Sequence, residues 1–282
     1  MKIHHISCGT MCPFGGKLMD GISHALGPSR LVCHCLLIET DQGLVLVDTG
    51  LGMQDVAHPE QRLNSFFRKT MRVQLDSDQT AVAQVRRLGF QPEDVRHIVL
   101  THLDFDHAGG IEDFPHAQVH LYRRELYAAQ HRQGFIAKGR YRPQQWDDQV
   151  QWQQYDEQGE PWFGFESIRS LRGLPPEILL IPLIGHTWGH CGVAVQTESG
   201  WLLHAGDAYF YRNEVHAPTP HCTPGLRAYQ TMMEVDREKR RHNQARLHEL
   251  VQLHGRDITV FCAHDRLEFD ALSGAVRVTA GN

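Results

Sequence analysis

Thr101-His102-Leu103-Asp104-Phe105-Asp106-His107-Ala108-Gly109-Gly110 is the stretch on which the fold turns. It follows the apolar run Ile98 to Leu100 and places two histidines and two carboxylates within six residues. Inside a regular strand, neighbouring side chains point to opposite faces, so four such groups could not converge there. A strand end that opens into a glycine-rich turn frees the backbone to curl around an ion. Charges packed this closely repel one another unless a cation or solvent separates them.

Working outward, Ile3 to Ser7, Leu31 to Glu39 and Leu44 to Val47 read as strands, the last two joined by the turn Asp41-Gln42-Gly43. Residues 50 to 78 are mixed and polar. Asp78 is the expected N-cap of a helix from Thr80 to Leu88 that Gly89 ends. Val119 to Tyr122 reads as a strand and Glu125 to His131 as a helix. From 134 to 176 periodicity fades while aromatics accumulate, among them Phe135, Tyr141, Trp146, Trp152 and Trp162. The reading is an ordered insertion or lid, with capping of the core as the plainer alternative. Ile178 to Leu183, Gly192 to Gln196 and Trp201 to His204 are expected strands. A long helix from Tyr229 to Leu253, ended by Gly255, and a last strand from Ile258 to Cys262 complete the pattern. Two sheets with helices outside accommodate this order.

Three further segments put a candidate ligand after an apolar strand: His186 in Gly185-His186-Thr187-Trp188-Gly189-His190, Asp207 in His204-Ala205-Gly206-Asp207, and His264 in Cys262-Ala263-His264-Asp265. Together with the first string, and with Asp48-Thr49-Gly50, they resemble the metallo-β-lactamase superfamily over roughly residues 3 to 265. That family's H-x-H-x-D-H motif is followed by separate His, Asp and His ligands. The resemblance implies a single α/β domain over 1–282, a four-layered αββα sandwich, and two divalent metal ions, zinc first with manganese or iron as alternatives. It implies one ion on His102, His186 and Asp207, and a second on Asp106, His107, Asp207 and His264, with Asp207 bridging. Asp48 and His190 are expected to orient ligands from behind. The chain departs from the motif at Asp104, where the family has its second histidine. The first ion therefore either takes a carboxylate, as zinc, manganese and iron all can, or loses a ligand.

The charge count at such a site has a consequence. Three carboxylates and a bridging hydroxide balance two divalent ions, whereas histidine at 104 would leave one positive charge. The expectation is a weaker Lewis acid, on which the bridging water deprotonates less readily and harder metals compete better with zinc.

Two metals sharing a hydroxide suit hydrolysis of a lactone, ester, thioester or amide. The compact length is similar to the small lactonases of the superfamily, including those acting on acyl-homoserine lactones. Those enzymes carry a tyrosine three residues after the bridging aspartate. Here that position is Phe210, flanked by Tyr209 and Tyr211, which with Asp106 are the candidate catalytic residues. The alternative is iron-dependent redox chemistry of the persulfide dioxygenase type found in the same superfamily.

The rest of the composition narrows the partners. At 41% hydrophobic and 22% charged residues the chain can bury a core. Its net charge of −5, without a basic stripe, argues against nucleic acid. The absence of a long apolar run argues against a membrane and for a cytoplasmic location. Seven cysteines, including Cys33-x-Cys35, read as reduced, buried or inert thiols. A small molecule is the expected partner, with apolar acyl or ring groups favoured by the aromatics of 134–176. The oligomeric state is left open, a homodimer being one option.

Overall fold

A computed structural model describes residues 1–25, 27–146, 150–156, 159–168 and 171–274. Among these residues thirteen strands run in chain order as β1 Lys2–Met11, β2 Leu31–Thr40, β3 Gly43–Val47, β4 Val73–Gln74, β5 Val95–Val99, β6 Gln118–Tyr122, β7 Gln151–Tyr155, β8 Glu160–Trp162, β9 Phe165–Ser167, β10 Ile178–Pro182, β11 Cys191–Thr197, β12 Gly200–His204 and β13 Ile258–Phe261. They form a seven-stranded sheet in the order β4-β1-β2-β3-β5-β6-β7, a four-stranded sheet β10-β11-β12-β13, and the hairpin β8-β9.

The apolar strands are buried on both faces, and their two-residue period sorts side chains into separate layers. Leu36, Ile38, Val45, Val47 and Val99 of the large sheet meet Ile178, Leu180, Val193 and Val195 of the small one. The alternating residues Cys35, Leu37, Leu46 and Ile98 face outward and are covered by Val82 and Val85 of the helix Ala81–Arg87 and by Leu126 of the helix Arg123–Gln130. On the other side Leu179, Ile181, Leu203 and Val260 pack under Leu247 and Leu250 of the helix Arg237–His254. The result is the helix–sheet–sheet–helix sandwich. β3, β5, β6 and β7 pair in parallel, as do β12 and β13. The carboxyl ends of β3, β5, β12 and β13 lead into residues 48, 101, 207 and 264, which gathers the candidate ligands on one edge.

Three local readings change. Thr80, not Asp78, caps the helix Ala81–Arg87, its hydroxyl accepting from the Ala83 amide. Asp78 lies in the preceding 3₁₀ turn. The long helix expected over 229–253 is two helices, Pro224–Met233 and Arg237–His254. Between them the Val235 and Asp236 amides donate to the Gly185 carbonyl, a tertiary partner that outcompetes helix continuation, and Asp236 recaps the chain on the Lys239 amide. The 134–176 stretch opens with the helix Gly134–Arg140 and then supplies β7, an edge strand of the main sheet. Its aromatics disperse: Trp146, Tyr155 and Trp162 each join a different core cluster, while Phe135 stays exposed. Packing needs thus account for most of that aromatic surplus.

Candidate metal centre

The loop 101–110 is held from behind by Asp48. This residue sits at φ 56°, a left-handed conformation that a non-glycine residue adopts at a cost of order 1 kcal/mol or more. The strain turns its carboxylate toward three donors: the Thr101 amide at 2.8 Å, the Thr101 hydroxyl at 2.7 Å and His107 Nδ1 at 2.8 Å. Gly50, two residues on, is at φ 62°, where a Cβ would lie 2.1 Å from the Cys8 carbonyl, so the turn needs glycine.

His102, Asp104, Asp106, His107, His186, Asp207 and His264 are all buried and converge on this edge. Asp207 faces two groups at once. Its Oδ2 lies 3.8 Å from His102 Nε2 and 3.3 Å from His186 Nε2; its Oδ1 lies 3.4 Å from His107 Nε2 and 3.1 Å from His264 Nε2. Asp104 Oδ2 joins the first group, 3.4 Å from His102 Nε2 and 3.1 Å from His186 Nε2. Asp106 Oδ2 joins the second, 3.7 Å from His264 Nε2. Ligands at the usual zinc–nitrogen distance of about 2.0–2.1 Å stand about 3.3 Å apart at the corners of a tetrahedron. Most of the measured separations match that edge. His102 Nε2 is buried without a hydrogen-bond partner, a position natural proteins avoid unless something else satisfies the atom. The residues present fit a pair of divalent ions, and one Asp207 oxygen faces each of the two groups of side chains that would hold them.

The metal-free electrostatics follow the same geometry. Burial lowers His107 and His264, but the Asp207 charge beside both, with Asp48 beside His107, outweighs it and lifts each above the ordinary histidine range. Burial together with His107 pushes His102 down to about 4 despite the nearby carboxylates. His190 donates from Nδ1 to the Leu183 carbonyl at 3.1 Å and accepts the Asp207 amide on Nε2 at 2.9 Å. It therefore positions the backbone of Asp207.

Two residues that the sequence does not single out enter the site. Arg140, at the end of the helix Gly134–Arg140, is 1% exposed and grips Asp104 through Nε–Oδ1 at 2.6 Å and Nη2–Oδ2 at 2.7 Å. Burial opposes ionisation of Asp104, but the Arg140 guanidinium beside it, with His102, holds its carboxyl well below the usual carboxylate range. The expected charge count is thereby corrected. Arg140 returns the positive charge that aspartate in place of histidine removes, so the argument for a weaker Lewis acid no longer stands. No spacing or motif connects residue 140 to residue 104; the packing of the 134–140 helix and the antiparallel bridge between Asp104 and Tyr141 do. The second residue is Cys33, whose thiol lies beside ligand atoms of Asp106 and His264. Read from the sequence as a buried or inert thiol, it is buried, and from its place in β2 it borders the cluster.

The tyrosines divide differently from expectation. The Tyr209 hydroxyl donates to Glu268 at 2.9 Å and its ring is in the small-sheet core. Tyr211 lies under the Arg212 guanidinium, its hydroxyl toward Gly21 and Asn213. Phe210 stacks on His264 at 5.2 Å between ring centroids, and Tyr229 meets Phe210 edge-on at 5.6 Å. Burial and the charges of Asp106, Asp104 and Asp207 push the Tyr229 phenol well above its usual value. A cavity of about 790 Å³ lies on the far side of Arg140, bordered by Tyr127, Ile136, Tyr141, Trp188 and Met232.

Known proteins bear on this arrangement. A protein of Mycobacterium tuberculosis named "Probable metallo-hydrolase" is 40% identical over 267 residues, 94% of this chain and 80% of its own length. An N-acyl homoserine lactonase of Bacillus cereus is 27% identical over 214 residues, 74% of this chain and 78% of its own. In fold, an N-acyl homoserine lactone hydrolase with N-hexanoyl-L-homoserine at its catalytic metal centre superposes with a TM-score of 0.71, at 23% identity, covering 99% of this chain and 98% of that one. Among the described residues no helix is long and apolar enough to cross a membrane. The model of the metallo-beta-lactamase superfamily matches residues 28–248, which take in six of the seven converging candidate ligands, and this chain is a metal-dependent hydrolase of that superfamily.

Proposed function

We propose that the chain is a lactonase with two divalent ions, zinc foremost, acting on lactones that carry an apolar acyl group. The observation that carries the reading is the cavity of about 790 Å³ whose wall includes Arg140, the residue that grips Asp104, so that an acyl chain held there would lie across Arg140 from the ligand cluster. The similarity to N-acyl homoserine lactonases supports the same substrate class. Bound divalent ions would supply Lewis acidity and lower the pKa of water.

The chain's own groups would do the rest. His102, Asp104, His186 and Asp207 would hold one ion, and Asp106, His107, Asp207 and His264 the other. Asp106, at 6% the most exposed of the three carboxylates, would accept a proton from the attacking water on the carboxylate oxygen that is not turned to His264. The proton would pass to the ring oxygen as the acyl C–O bond breaks. Tyr229, edge-on to Phe210, would donate a hydrogen bond to that oxygen, rather than Tyr209, whose hydroxyl is given to Glu268, or Tyr211. Trp188, 46% exposed at the cavity wall, would cover the acyl chain.

The test is hydrolysis of γ-lactones bearing acyl chains of four to twelve carbons, with bound metal measured by mass spectrometry. Turnover that rises with chain length, and a Trp188→Ala variant that raises KM selectively for long chains, are expected. Turnover of simple aryl esters without any lactone activity would refute the substrate assignment.

A further inference from the structure

We infer that the two metal positions are unequal: Arg140 makes the His102–Asp104–His186 position a weak one, filled after the Asp106–His107–His264 position. The inference rests on the metal-dependent reading above and deepens it.

Arg140 is fully engaged. Its five N–H donors meet five acceptors: Asp104 Oδ1 and Oδ2, the His186 carbonyl at 3.1 Å, the Met233 carbonyl at 2.7 Å, and His186 Nε2 at 2.6 Å. The last of these is the atom that His186 would offer to an ion. An ion entering there must take the lone pair from Nη2 and share Asp104 Oδ2 with it. The Met233 carbonyl is free to hold Arg140 because the helix ends at that residue, so the guanidinium is fixed by both the 134–140 helix and the break at 234–236. His186 is also poorly anchored, since its Nδ1 is buried without a partner.

The other position is prepared on every count. His107 Nδ1 is bound to Asp48 and His264 Nδ1 donates to the Val32 carbonyl at 2.7 Å, so each ring presents Nε2 inward. Their Nε2 atoms stand 3.4 Å apart, and Cys33 adds a soft donor beside Asp106 and His264. No guanidinium competes there among the described residues. Losing a charge-assisted hydrogen bond and lacking an orienting partner each weaken binding by about 10- to 100-fold.

The full chain, stripped with a chelator, is titrated with Zn²⁺ against a chromophoric chelator, and bound metal is counted by mass spectrometry after gel filtration. Wild type is expected to bind one ion tightly and the second at least about 10-fold more weakly. Arg140→Met/Asp104→His, which removes the guanidinium and supplies an imidazole, should bring the two affinities together. Two ions of equal affinity in wild type overturn the inference whether or not the variant folds. So does a folded double variant that keeps the wild-type ratio. Binding of no ion at all would take the metal-dependent reading down with it.

Discussion

Replacing Arg140 by methionine removes a buried guanidinium whose shape a thioether can partly fill, and leaves Asp104 buried, 3% exposed, without its two short charge-assisted bonds. Stranding one member of a buried ion pair costs about 3–5 kcal/mol, because the remaining charge keeps its desolvation penalty and loses its partner. Asp104→Leu strands the guanidinium instead and should cost a similar amount. The double variant removes both charges and is expected to lose less than the sum, with a coupling of about 2 kcal/mol or more. Urea unfolding followed by circular dichroism, with chelator present throughout, gives the four corners of the cycle. Repeating it with excess Zn²⁺ separates the two partners available to Asp104. In Arg140→Met an ion can take over the stranded carboxylate, so zinc should stabilise that variant more than wild type. A loss below about 1 kcal/mol for Arg140→Met in chelator, or strictly additive single losses, would refute the claim that the pair is a buried, mutually dependent unit.

Three other perturbations follow from contacts on the page. Asp48→Asn keeps size but cannot accept from the Thr101 amide, the Thr101 hydroxyl and His107 together; competition titration should show metal affinity lowered about 10- to 100-fold. Tyr229→Phe should lower kcat on alkyl lactones about 10- to 100-fold while leaving bound metal and the turnover of activated aryl esters unchanged; equal losses on both substrates would place the phenol outside the leaving-group step. His120, between His97 and the Tyr155 hydroxyl, is held by burial and then by His97 at a pKa of about 3. The folded state therefore refuses a proton that the unfolded chain accepts near pH 6.5. Stability is complete above that value and falls as pH drops toward 3, by about 2 kcal/mol at pH 5 from this residue. His120→Gln should flatten the acid limb of a pH-dependent unfolding series between 6.5 and 5.

What the sequence makes legible is what one segment can specify by itself. The 101–110 string and the isolated His186, Asp207 and His264 each follow an apolar strand; β3 pairs in parallel with β5 and β12 with β13, and β10 runs the same way as β12 across β11, which brings those strand ends to one edge. Tertiary competition is what stays hidden. Nothing local says that the helix expected over 229–253 stops at Met233, because the cause is the Gly185 carbonyl, far away in sequence, taking two amides. Nor does the aromatic surplus of 134–176 reveal that its rings are shared among three cores.

Arg140 joins both kinds of hidden information. Its acceptors include the carbonyl freed at the end of the 224–233 helix and the carboxylate that departs from the family motif. Aspartate at 104, taken alone, subtracts one positive charge from the site; aspartate paired with Arg140 subtracts none. What changes is instead the bonding at His186, where a neutral motif histidine in place of Asp104 would offer the guanidinium no counter-charge to hold it. The departure at 104 therefore bears on when the site fills with metal more than on the charge it carries once filled. A variant that moved metal affinity without moving the net charge at the centre, such as Arg140→Met/Asp104→His, is the one that separates these two effects.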